Sequence, residues 1–211
     1  MNQSNIFTPS KPRGYLALAI WLSIIAFGAK FVIRDALPYF GFNPDVFGYY
    51  WDYKWSLIGH ISGGLLAITI GPFQFWKGFR TNYVKTHRTL GVIYLIAILI
   101  GSISATYLSW TSALSTHWTW AVSLQGLAFA WFCTVLMAYR AIRLHRYTIH
   151  KEWMIRSYVV TFGFVLFRWL NELAASYDLG TFIERGPTIG WACWVIPLFI
   201  TEMVLQWNKK N

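Results

Sequence analysis

Six stretches of this chain are each long and apolar enough to cross a bilayer, and they leave room for little else. They run near 15–35, 55–76, 89–109, 118–139, 153–175 and 185–207. The fifth is interrupted at Arg156, Arg168 and Glu172, while the others are clear apolar runs with any charge towards their ends. A span needs about 20 mainly apolar residues. Backbone in hydrocarbon must satisfy its own polar groups, so such stretches are helices. The expected fold is an all-α membrane protein with six transmembrane helices. Helices 2–5 form a central four-helix bundle flanked by helices 1 and 6, in a single domain over 14–208 behind a polar cytoplasmic tail at 1–13. With 12% charged and 56% hydrophobic residues, the composition excludes an ordinary soluble domain.

A net charge of +10 would point to nucleic acid in a soluble protein, but its distribution gives it another meaning. With the amino terminus in the cytoplasm, every one of the 18 Lys and Arg residues falls on the inner side except Lys30, Arg34, Lys54, Arg168 and Arg185. Asp35, Asp45, Asp52, Glu172, Asp178 and Glu184 gather on the outer side. This positive-inside bias places both termini in the cytoplasm and the chain in a plasma (inner) membrane as a multi-pass protein. The lipid bilayer is its expected partner, with attraction to anionic headgroups. Nucleic acid is not, and an oligomer is left open.

The long outer loop, about 36–52, carries Pro38, Gly41, Pro44 and Gly48 among aromatics, and is placed to cap the outer mouth of the bundle. Cys133 and Cys193 fall mid-span with no companion ligand and read as small core residues. Trp51, Trp55, Trp76, Trp110, Trp118, Trp120 and Trp207 lie near span ends, as interfacial belts require. Pro72 and Pro197, inside spans, free backbone carbonyls for partners on other helices.

The histidines carry the chemistry. His60 sits inside the second span, where an ionisable group is costly and faces a bundle interior by default. On a helix it shares a face with Gly64, Ala67, Gly71 and Gln74. The third span repeats the pattern with His87, Gly91, Tyr94, Ile98, Gly101 and Ala105. Small residues on a histidine's own stripe leave space that a neighbouring helix or a flat macrocycle can fill. His60, His87, His117 and His150 stand towards the ends of four consecutive spans, at alternating levels. His60 and His117 would form an outer pair and His87 and His150 an inner pair. Paired imidazoles across a bundle are the usual axial ligands of b-type haem. His60 lies deeper than His117, whereas His87 and His150 match in level. His145 reads as a solvated loop residue.

"HISGG", "GPFQF", "THRTLGVIY" and "HKEWMIRSY" resemble the motifs of the predicted bacterial membrane proteins grouped as domain of unknown function 2306, over roughly residues 50–170. The resemblance implies a bacterial integral membrane protein and no particular activity. It rests on His60, Gly63, Gly64, Gly71, Pro72, Gln74, Phe75, His87, Arg88, Gly91, Tyr94, His150, Trp153, Met154, Arg156 and Arg168; His117 belongs to no such motif. The order of the four histidines is also similar to the layout of the cytochrome b561 architecture, an analogy of arrangement only.

Arg80, Lys85, Arg88, Arg146 and Arg156 cluster around the inner histidines, where they would neutralise haem propionates. Arg168 and Glu172, four apart near the outer surface, are expected to pair with each other. Glu202, near the inner end of the last span, is expected to meet an inner arginine or snorkel. No phosphate loop, nucleophile–base pair or paired carboxylates point to hydrolysis. The expected function is transmembrane electron transfer as an oxidoreductase carrying one or two b-type haems, with a quinol or cytoplasmic donor. The alternative is a haem-free small transporter or assembly partner with a polar intramembrane site. Copper or zinc is disfavoured because no Met or Cys ligand cluster accompanies the histidines.

Overall fold

The structure, a computed structural model, describes residues 12–207 and 209. The expected tail at 1–13 lies outside them apart from its last two residues, which already begin a helix. The described residues contain no strand. Their long helices are α1 (Pro12–Phe31), α2 (Lys54–Phe75), α3 (Val84–Leu108), α4 (Trp118–Arg143), α5 (Tyr147–Thr161), α6 (Gly163–Ser176) and α7 (Phe182–Trp207). The helical segments Pro44–Phe75, Val84–Thr116, Trp118–Arg143, Tyr147–Ser176 and Phe182–Trp207 are long and apolar enough to cross a membrane. The expected fifth span is thus two helices, α5 and α6, meeting at Phe162.

The outer loop is itself helical. A π turn over Val32–Ala36 and a 3-10 turn over Leu37–Gly41 lead into a short helix, Pro44–Phe47, whose Asn43 cap accepts from the Asp45 N–H at 2.9 Å. Phe47 is buried among Tyr39, Phe42 and Trp51. This aromatic plug closes one end of the bundle, as its position in the sequence suggests.

Helices α2 to α5 pack in a ring, α2 on α3, α3 on α4, α4 on α5 and α5 on α2, so α2 faces α4 and α3 faces α5 across the centre. Helix α7 lies against α4, α5 and α6, and α1 against α6. Val195, Phe199, Ile200 and Val204 on α7 stay exposed, an apolar face suited to lipid.

The closest approach is between α2 and α3. A Cβ on Gly63 would press on the Ala97 carbonyl and come within 3.0 Å of the Gly101 backbone. Glycine is used here because only a missing side chain lets two backbones touch. Gly101 is also covered by the Trp131 ring of α4, so one residue seats two helices.

Pro72 explains a second contact. Lacking an N–H, it leaves the Ile68 carbonyl, four residues earlier, without its helical partner. Tyr158 of α5 donates its hydroxyl to that carbonyl at 3.2 Å, and its ring fills the space above Gly71. In the centre, the Thr161 hydroxyl donates to the Ser157 carbonyl at 2.8 Å and accepts from Trp131 Nε1 at 2.8 Å. The fully buried Tyr94 hydroxyl reaches Ser157 and Thr161 at 3.1 and 3.4 Å. This network ties α3, α4 and α5 together without a charge.

The two stripes read from the sequence do face inward, with Ala67, Tyr94 and Ile98 fully buried. Cys193 is buried and Cys133 half-buried. Trp120, expected in an interfacial belt, is instead buried against Phe167 and Phe182, while Trp55, Trp76, Trp110, Trp118 and Trp207 remain exposed.

Gly63→Ala forces the α2 and α3 backbones apart and is expected to cost about 1–3 kcal/mol, as overpacking does. Gly64→Ala next to it meets nothing within 4 Å and is expected to leave stability within about 0.5 kcal/mol of wild type. Thermal unfolding of the two purified variants in detergent checks the contrast; equal losses would refute the packing role of Gly63.

Candidate functional site

A cavity of about 150 Å³ opens between α2, α4, α5, α6 and the end of α1, towards the acid-bearing end of the bundle. Its polar lining comes from His60, Arg168, Asp35, Tyr50 and Thr161, against aromatic walls that include Trp131 and Phe164. Asp35, Tyr39 and Tyr50 bring the plug to its rim. Gly64, one turn beyond His60, lines the cavity and has nothing within 4 Å of where a Cβ would stand. Of the glycines on the two stripes, Gly71 and Gly101 are filled by rings of neighbouring helices, while Gly64 keeps space open beside the imidazole.

His60 Nδ1 lies 3.2 Å from the Gly101 carbonyl. A carbonyl only accepts, so Nδ1 carries the proton and Nε2 keeps a free lone pair. The ring is held edge-on to Trp131 and Phe164, with centroids 6.0 and 6.1 Å away.

His150 has the same arrangement at the other end, with Nδ1 2.8 Å from the Ala138 carbonyl of α4. His87 stands across the bundle from it, on the facing helix α3, and its Nδ1 is buried with no hydrogen-bond partner among the described residues. Arg80, Arg88 and His150 are near enough for their charges to act on it. Gln74 lies beside Gly91, one turn along α3 from His87, and its Nε2 is also buried without a partner. The inner pair is therefore brought into one neighbourhood.

The outer pair is not. His117 adopts an extended backbone at the start of α4 and caps it: Nδ1 accepts from the Thr119 N–H at 3.3 Å and lies 2.6 Å from the Thr119 hydroxyl. Accepting at Nδ1 leaves the proton on Nε2, the opposite tautomer to His60, and His117 does not line the cavity. Across from His60, α4 presents Trp131 and Ala128 instead. His145 is an exposed turn residue with φ +56° just past α4.

The cations divide in a way the sequence does not reveal. Lys85, Arg88 and Arg146 are exposed and Arg80 half-buried. Arg156 is buried and committed: its Nε and Nη2 donate to Glu202 at 2.9 and 2.5 Å, with Glu152 3.7 Å away and Trp153 beneath it. Glu202 thus meets an inner arginine, as expected. Arg168 and Glu172 do not pair. Glu172 is taken by Arg34, which also neighbours Asp35. Arg168 faces the cavity with its guanidinium 5.7 Å from the Phe164 centroid, its Nε buried and unpartnered, and no carboxylate bound to it among the described residues. The i,i+4 spacing allowed an Arg168–Glu172 pair, but Arg34, in the π turn that follows α1, captures the carboxylate. Trp131, Thr161, Asp35 and Tyr50 were not legible as site residues, because only the packing of separate helices brings them together. Among the described residues no three His, Cys, Asp or Glu side chains converge as a metal site.

Residues 57–205 match the family described as Predicted membrane protein (DUF2306). The chain belongs to this family. The match reaches beyond the motif-bearing region to include most of α7, so the DUF2306 unit covers the whole ring of helices. No curated protein and no solved structure matches the chain.

In this DUF2306 protein His117 serves as a helix cap. His117→Ala is expected to cost about 1 kcal/mol, the usual loss for a cap, seen as a lower unfolding temperature in detergent. Unchanged stability would refute the capping role.

Proposed function

We propose that this DUF2306 protein is a b-type haem-binding electron carrier of the inner membrane. In this reading α1 supplies a sixth span and both termini lie in the cytoplasm, since the basic residues gather at one end. His87 and His150 would hold one haem at the basic end. The observation that carries the reading is the state of these two imidazoles. The Ala138 carbonyl fixes His150 with Nε2 free, the usual outer-shell arrangement of a metal-bound histidine. His87 faces it from the opposite helix, and its buried Nδ1 is unsatisfied, a costly state without a guest. The orphaned Gln74 amide in the same half of the bundle supports the same fit.

Bound there, haem would supply a one-electron iron couple. The protein's own part is orientation and charge. The Ala138 bond sets the direction of the His150 ring, and Arg80 and Arg88 offset the negative charge of propionates. The Glu202–Arg156 pair occupies Arg156, so that residue positions α5 against α7 and does not bind the cofactor. Lys85 and Arg146 hold the basic surface at the membrane. The haem is assigned to the inner pair alone. The His60 cavity has the size of one that holds a single six-membered ring, and His117, committed to capping α4, does not line it.

The alternative, a haem-free transporter or assembly partner, draws on the partnerless Arg168 in its cavity. A dithionite-reduced minus oxidised spectrum separates the two. A b-type band is expected in the purified protein, largely lost in His87→Ala and in His150→Ala, and retained in His145→Ala. A colourless preparation from haem-replete cells would overturn the proposal.

A further inference from the structure

The electron-transfer reading leaves the cavity at the acid-bearing end without a role, yet it holds the most polar chemistry inside the bundle. Three properties define what fits it. Its volume of about 150 Å³ is comparable to that of an engineered apolar cavity able to hold benzene, so one ring fits it. Its walls are aromatic and aliphatic, with Trp131 and Phe164 flanking the imidazole. Its polar groups are complementary: His60 offers a lone pair at Nε2, because Nδ1 donates to Gly101, and Arg168 lines the same cavity with a guanidinium that no carboxylate takes among the described residues. Phe164 touches both groups, its centroid 6.1 Å from the His60 ring and 5.7 Å from the guanidinium. Both groups therefore border one aromatic ring.

We infer that this cavity binds the head of a membrane quinol or quinone. One hydroxyl of a quinol would donate to His60 Nε2, and its other oxygen would accept from the Arg168 guanidinium. The ring would lie in the space kept by Gly64, against Trp131 and Phe164. A ring with oxygens at opposite edges satisfies both groups at once, whereas a single-headed amphiphile satisfies only one. Arg34 and Asp35 favour this assignment. By drawing Glu172 away, Arg34 leaves the Arg168 guanidinium free, and Asp35 lines the cavity without pairing with Arg168. The choice of quinol as ligand class rests on the electron-transfer reading; the site itself rests on the cavity.

The test is the thermal unfolding of the full chain in detergent, titrated with decylubiquinone, with decanoate and decane as single-headed and headless controls. Ligand that binds only the native state raises the unfolding temperature in a saturable way. Decylubiquinone is expected to do so in wild type, and Arg168→Gln to need at least tenfold more quinone for the same shift. Gly64→Leu, which fills the space, is expected to abolish the shift; since Arg168→Gln adds no bulk to the bundle, a folding defect in Gly64→Leu leaves the test intact. No saturable shift in wild type, an equal shift with decane, or an equal response of Arg168→Gln would overturn the assignment. Stabilisation by decanoate alone would also overturn it, showing an anion site. Haem content is read on the same samples. A quinone shift without a haem band refutes the electron-transfer proposal and leaves the cavity assignment standing, and a haem band without a quinone shift does the reverse.

Discussion

The contact of α2 with α3 at Gly63 and Gly101 governs most of what the bundle can do. Two backbones meet where neither residue has a side chain, and this brings the Gly101 carbonyl within reach of His60. The same glycine makes room for the Trp131 ring from α4. One close approach therefore sets the position of the imidazole, its tautomer and the wall it faces. In a bilayer, where lipid is as apolar as any side chain, such close packing and interhelical hydrogen bonds replace the hydrophobic effect as the source of helix association.

Backbone groups released by proline and by glycine-rich faces are answered from other helices. Tyr158 meets the Ile68 carbonyl left by Pro72, and the Trp131–Thr161–Tyr94 network lies between the two ends. This uncharged middle layer separates an end with half-buried histidines and basic residues from an end with a cavity. Its groups are satisfied; the buried atoms without a partner among the described residues include Nδ1 of His87, Nε2 of Gln74 and Nε of Arg168, along with atoms of Ser102, Gln125 and Trp194. Since buried polar groups are normally paired, each of these atoms marks a point where the packing leaves a hydrogen bond unmade.

Charge pairing sharpens the division. Arg156 with Glu202 and Arg34 with Glu172 each join helices far apart in sequence. The first removes an arginine from the set around the inner histidines, and the second leaves Arg168 to the cavity. Both outcomes depend on which carboxylate a cation meets first in three dimensions. Local spacing offered Glu172 to Arg168, and Arg34 in the turn after α1 overrode it.

The amino-acid sequence by itself determined that the chain is helical, how most of its spans are bounded, that its basic residues gather at one end, and that His60 and His87 head inward-facing stripes. Those properties follow from hydropathy, charge counting and helical periodicity, all of which act over neighbouring residues. Only the tertiary structure decided that His60 and His150 share one tautomer while His117 takes the other, that Gly64 stays open while Gly71 and Gly101 are filled, and that Arg168 lacks a carboxylate. Each of these depends on distances between helices, such as His60 to Gly101 or Arg34 to Glu172, which no periodicity along one helix encodes.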